Sequence, residues 1–156
     1  ICYNHESPRR GPSFVTRKIT RAVARIAAGL EDRIVLGNLD AKRDWGFAGD
    51  YVDAMWRMLN QSEADDFVLA TGRATTLRDF LTMAFSQYGL DWNKHVEVDP
   101  KFFRPADSQV LVGNPSKAHR DLNWSHSVTI EELVSMMVEA DASSEIDRAQ
   151  NIEARG

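Results

Sequence analysis

The chain has 156 residues, 43% of them apolar and 27% charged, with a formal net charge of −4. These figures admit one domain with a real core, and the acidic balance argues against a general nucleic-acid binder. No apolar run approaches the ~20 residues of a membrane span, and a single cysteine, Cys2, excludes an internal disulfide and fits a reducing cytoplasm.

A short apolar run, Ile1 to Asn4, reads as a strand with Cys2 packed in it. It opens into a turn-forming, doubly basic loop, Ser7 to Pro12. In an open α/β sheet, ligands sit where strands end at their carboxyl side and loops lead into helices. Arginine offers a planar fork matched to phosphate oxygens, and glycine allows close backbone approach. The competing reading is a surface loop whose arginines are merely solvated. The first helix is expected from Ser13, as N-cap, to about Ala28, with Val15, Ile19, Val23, Ile26 and Leu30 on one stripe and Gly29 as the stop. Arg17, Arg21 and Arg25 lie at i, i+4, i+8 on another face. Between Arg9 and Arg25 there are six basic residues and no acidic one, an excess that suits a phosphate-bearing small molecule.

Residues 33–36 read as a strand and 37–46 as a loop. A second helix follows from Ala48 to Asn60, with Val52, Met55, Trp56 and Leu59 as its buried face and Asp50 at its positive end. A strand over 66–70 precedes a turn at Thr71-Gly72. Thr76 with Asp79 forms a capping box for a helix whose apolar positions run from Leu77 to Tyr88 and which stops at Gly89. His95 to Asp99 is a further strand. Asn114-Pro115 caps a short helix to about Leu122, and Thr129 with Glu132 caps another with Leu133, Val134, Met137 and Val138 on its apolar side. From 142 the periodicity ends, and 142–156 reads as a mobile tail. His95, His119 and His126 have no metal-ligand spacing with the cysteine, so no metal site is expected. Strands alternating with helices give the α/β class.

Three segments carry a resemblance: Asn4-His-Glu-Ser-Pro-Arg-Arg-Gly11 continuing through Phe14-Val-Thr-Arg-Lys18, then Leu36 to Gly46, then Val98 to Pro105. Together they resemble the GDP-mannose 4,6-dehydratases, which are extended short-chain dehydrogenase/reductases, from Ile1 to about Ala140. The chain contains neither a Gly-x-Gly-x-x-Gly loop nor Tyr-x-x-x-Lys. The resemblance therefore implies the C-terminal part of a longer enzyme: mostly the small substrate-binding domain within 1–141, plus a strand and a helix or two of the Rossmann sheet. No catalytic residue is expected here. By resemblance, His5 and Arg10 contact NADP, while Asn4, Phe14, Lys18, Arg43, Arg104 and Asp107 hold GDP-mannose. Asp107 stands where relatives carry Glu, which shortens its reach by one methylene. Local pairs, Arg43 with Asp44 and Arg104 with Asp107, are the competing readings.

The implied reaction converts GDP-mannose to GDP-4-keto-6-deoxymannose in a cytoplasmic homodimer or tetramer, with no nucleic acid or membrane as partner. Another nucleotide-sugar dehydratase, epimerase or reductase is the alternative, and a stand-alone polyanion-binding module a more distant one.

Overall fold

The computed structural model describes residues 1–103 and 110–153, with side chains up to Glu145. Arg104 and Asp107 lie outside the described residues. In chain order the elements are β1 (Asn4–Glu6), α1 (Val15–Ala27), β2 (Ile34–Leu36), β3 (Lys42–Arg43), β4 (Trp45–Phe47) and α2 (Ala48–Leu59). They continue with β5 (Thr75–Thr76), α3 (Leu77–Ser86), β6 (Val96–Val98), α4 (Ser116–Leu122) and α5 (Ile130–Glu153), and short 3₁₀ turns flank β6. This is the α/β class.

The strands pair in short sets. β1 runs parallel to β4, β2 parallel to β6, and β3 antiparallel to β5. The expected first strand is shifted: Cys2 forms a single bridge to Leu69, regular pairing begins at Asn4, and Cys2 is exposed rather than packed. The expected strand over 66–70 shrinks to that bridge, held by Tyr3 N–H to Leu69 O at 2.9 Å and Leu69 N–H to Ile1 O at 2.8 Å. The expected loop over 37–46 contains β3 and most of β4.

α1 begins one residue later than expected, because Phe14 rather than Ser13 occupies the N-cap, without a side-chain cap. Its end follows the glycine logic: Gly29 sits at φ +69°, and Leu30 N–H closes back on Arg25 O at 2.9 Å. That turn carries Leu30 off the stripe, leaving it 52% exposed. The main core joins α1, α3 and α5 over β2 and β4 through Ile19, Val23, Phe80, Phe85, Leu133 and Met137. Both capping boxes form, Asp79 N–H to Thr76 Oγ1 at 3.0 Å and Glu132 N–H to Thr129 Oγ1 at 3.2 Å. α3 stops at Ser86, so Tyr88 lies past its end, exposed. Asn114 accepts Ser116 N–H at 3.0 Å, and α4 starts after Pro115 rather than on it.

The main correction concerns α2. Its buried side is Asp50, Tyr51 and Ala54. The expected core face points outward, with Val52 62%, Met55 40%, Trp56 65% and Leu59 85% exposed. Periodicity located an apolar stripe, yet the described residues leave it largely exposed. Tyr51 and Ala54 instead join a second core with Phe67, Leu69, Leu122 and Trp124. Asp50 does sit in the first turn of α2, as expected. It is buried and accepts Ser127 N–H at 3.0 Å and Ser127 Oγ–H at 2.6 Å.

α5 continues as helix past 142, through the stretch where hydrophobic periodicity ends. Ion pairs extend the packing there. Asp141 meets Arg17 at 2.7 Å, and Glu145 meets Arg25 at 2.9 Å and Arg21 at 3.8 Å. The arginine face of α1 therefore lies against α5, and the expected free excess of positive charge is largely neutralised. No described helix is long and apolar enough to cross a membrane.

Candidate functional site

The residues expected to act together are carried by the carboxyl end of β1 and the elements beside it. Asn4 is exposed, His5 half-buried and Glu6 buried at 2% exposure. His5 Nδ1 lies 2.9 Å from Tyr3 O. A carbonyl can only accept, so Nδ1 carries the proton. With Nδ1–H so engaged, Nε2 is an acceptor when the ring is neutral and a donor when it is charged. The ring is steadied from below by Tyr51, with centroids 5.1 Å apart. Burial, with the charge of Asp44 beside it, pushes the Tyr51 phenol well above its ordinary range.

Arg10 lies folded over this strand end. Its guanidinium carbon sits 3.5 Å from the Phe14 ring centroid, and its Nε is 3.1 Å from Glu6 Oε2 without hydrogen-bond geometry. Phe14, itself 48% exposed, thus supports the cation from the open side. Glu6 Oε2 also accepts Thr16 Oγ–H at 2.7 Å. Burial nevertheless dominates and raises the Glu6 carboxyl above its ordinary 4.5, with Thr16 and then Arg10 pulling it back.

A folded-state value above the unfolded one means the native chain holds the proton longer. Stability is therefore expected to fall as pH rises from about 4.5 through the raised Glu6 value, and to stay lower above it. Glu6→Gln should flatten that window. Urea midpoints between pH 4 and 7 check this, and a window unchanged in Glu6→Gln assigns it to another group.

The second wall is built on β3. Lys42 and Arg43 pair with Thr76 and Thr75, and Arg43 bridges Leu111 in parallel. The β1–β4 register puts Asn4 opposite Trp45, two residues after Arg43. Arg43 Nη1 donates to Lys42 O at 2.7 Å. Next to it, fully buried Asp44 accepts Thr71 N–H at 2.9 Å, Thr71 Oγ–H at 2.7 Å, Gly72 N–H at 3.0 Å and Gly113 N–H at 3.2 Å. Two loops, the Thr71-Gly72 turn and the segment at Gly113, meet on one carboxylate, so Asp44 ties Arg43's strand to both of them.

Lys18 stands apart from these. Its ammonium donates to Val35 O at 2.7 Å and lies 5.4 Å from the Phe102 ring. Gly37 lets the Phe102 backbone come this near, since a Cβ there would sit 2.6 Å from Phe102 O. Lys18 also edges an open groove of about 430 Å³ between α1 and β2, lined by Arg21, Arg25, Glu31 and Arg33. Three of the groove's cations are paired, Arg21 with Glu145 at 3.8 Å, Arg25 with Glu31 at 2.7 Å and Arg33 with Glu97. Arg10 and Phe14 are thus brought together beside Glu6, His5 packs separately on Tyr51, Asn4 and Arg43 lie in different strand pairs, and Lys18 stands apart on α1.

Sequence reasoning missed Glu6, Asp44, Tyr51 and Asp141. The one readable signal was Asp141 with Glu145, an i, i+4 acidic pair that matches the spacing of Arg17, Arg21 and Arg25. Among the described residues, no group of three His, Cys, Asp or Glu side chains could hold a metal ion.

A family profile described as GDP-mannose 4,6 dehydratase matches residues 1–137. The chain belongs to that family. It is 54% identical over 141 residues to GDP-mannose 4,6 dehydratase 1 of Arabidopsis thaliana, covering 90% of this chain and 39% of that protein. It is 48% identical to GDP-mannose 4,6 dehydratase of Cricetulus griseus, covering 42% of it. The chain thus spans about two fifths of the length of these curated relatives. Among solved structures, RMD from Pseudomonas aeruginosa complexed with NADPH superposes at a TM-score of 0.83 with 23% identity, covering 92% of this chain and 47% of that one. A dTDP-glucose 4,6-dehydratase from Bacillus anthracis in complex with NAD gives 0.77 at 16% identity. At such identities the likeness carries the fold alone.

Proposed function

We propose that this chain is the substrate-binding part of a GDP-mannose 4,6-dehydratase, a cytoplasmic lyase converting GDP-mannose to GDP-4-keto-6-deoxymannose. The observation that carries the reading is the family match over residues 1–137, whose first motif ends β1 and leads into the Arg10–Phe14 contact. Relatives of the same description support the substrate, and fold neighbours solved with NADPH or NAD support a nicotinamide cofactor, here taken as NADP.

The donor set suits such a cofactor. His5 Nε2 can accept from an amide, and Arg10 can face a phosphate. When bound, NADP would take hydride from the sugar and return it. The chain's own residues orient and neutralise: Asn4 offers donor and acceptor to the sugar or phosphate, and Arg43 and Lys18 supply charge to the diphosphate. By resemblance, Arg104 and Asp107 belong to the same nucleotide-sugar set, Asp107 with an arm one methylene shorter than the relatives' Glu. Positioning of this kind accounts for much of a bound reaction's advantage.

The outward stripe of α2 fits the same reading. Parallel strands are normally covered on both faces, and the relatives carry more than half their length beyond this match. We assign Val52, Met55, Trp56 and Leu59 to contact with the cofactor-binding half. Assembly as a homodimer or tetramer would use the exposed Arg9 beside the cofactor loop.

Residues 1–156 alone are expected to give no 4-keto product from GDP-mannose and NADP, whereas the full-length enzyme should turn over. Product from rigorously purified 156-residue chain, or none from the full-length protein, would overturn the reading.

A further inference from the structure

Arg17 is the point where the loop and the C-terminal helix meet. Its Nε donates to Asp141 Oδ1 at 2.8 Å and Oδ2 at 2.9 Å, and its Nη2 lies 2.7 Å from Oδ1. Nη1 turns the other way and donates to the carbonyls of Pro8 and of Arg10, the latter at 3.0 Å. Asp141 is 2% exposed and also accepts Thr20 Oγ–H at 2.7 Å. One planar guanidinium is therefore fixed along one edge by a buried carboxylate, and its remaining edge holds two carbonyls of the doubly basic loop.

We propose that Asp141 is a positioning residue: acting through Arg17, it sets the shape of the Ser7–Pro12 loop and so the presentation of Arg9 and Arg10. The geometry goes beyond helix packing. A guanidinium has a rigid fork, so orienting one edge orients the other. The loop's own ties are few, Arg10 N–H to Ser7 O at 2.9 Å and Arg9 N–H to Ser7 Oγ at 3.1 Å. Without Arg17 its Pro8 and Arg10 carbonyls would have only water to meet. Contact with the backbone leaves both loop side chains available, which suits a support for a binding loop. The consequence for ligand rests on the reading of this loop as the NADP contact.

Hydrogen exchange on the 156-residue chain tests the support itself. In Asp141→Asn, the Arg9 and Arg10 amides should exchange about ten- to a hundredfold faster, the weight of a charge-assisted bond, while α3 amides stay unchanged. Arg17→Lys should loosen the loop while keeping a cation beside Asp141. Thr20→Val removes a bond to Asp141 without touching the loop and should leave loop exchange alone. If Asp141→Asn leaves the loop amides protected, or if Thr20→Val loosens them equally, the proposal is wrong. Titration of NADP into the full-length enzyme separates the two levels. A weaker NADP affinity with unchanged GDP-mannose affinity supports both. Faster loop exchange with unchanged NADP affinity keeps Asp141's role and removes the cofactor from this loop.

Discussion

Asp44→Ala is expected to destabilise the chain by about 3–5 kcal/mol, since each buried donor left without a partner costs about 1–3 kcal/mol. The carboxylate serves four donors from Thr71, Gly72 and Gly113, and it is completely buried. Alanine would leave these donors without the carboxylate, the Gly113 N–H in a buried setting and the others partly buried. Asparagine keeps one acceptor oxygen and should fall between. Urea titration measures the effect as a lower midpoint at constant slope. A loss under about 1 kcal/mol would mean that water replaces the carboxylate and that the two loops do not depend on it.

In the full-length enzyme, Arg43→Ala should weaken GDP-mannose binding by about ten- to a hundredfold, the cost of a lost charge-assisted contact to a diphosphate, with little change for NADP. The position supports this. Arg43 lies on β3 between Thr75 and Leu111, and Asp44 spends both oxygens on other loops. Calorimetry would decide. An unchanged substrate Kd would assign Arg43 to its local contacts, of which the bond to Lys42 O is one.

Local rules were the legible part of this fold. Thr76 with Asp79 and Thr129 with Glu132 cap α3 and α5 as their spacing predicts, because a capping box is closed within four residues. The apolar side of α3, from Leu77 to Phe85, was legible for the same reason. β3 and β4 were not, being two and three residues long and so below any periodicity. In α2 the stripe was seen but its side misjudged: an apolar face says that a helix wants a partner, and Tyr51 and Ala54 found one within this chain.

At the site, the Asn4–Gly11 motif was visible as a motif, and its strand-end location followed. The acids that hold it were not. Asp44 reaches Gly113 across 69 residues and Asp141 reaches Arg17 across 124, separations over which spacing informs only where it repeats, as in Asp141 with Glu145. The tail reading from 142 went astray similarly: hydrophobic periodicity stops there, while Asp141 and Glu145 continue the packing as ion pairs.

The α2 stripe also sets how the isolated chain behaves in different salts. Sulfate, excluded from protein surfaces, strengthens the association of apolar patches, so Val52, Met55, Trp56 and Leu59 give separately prepared chains a seam along which to cluster as ammonium sulfate rises. Chloride at equal ionic strength screens the exposed pairs, such as Arg73 with Glu131, without that reinforcement. Light scattering in the two salts would therefore diverge for this chain and converge again once Trp56 is made polar.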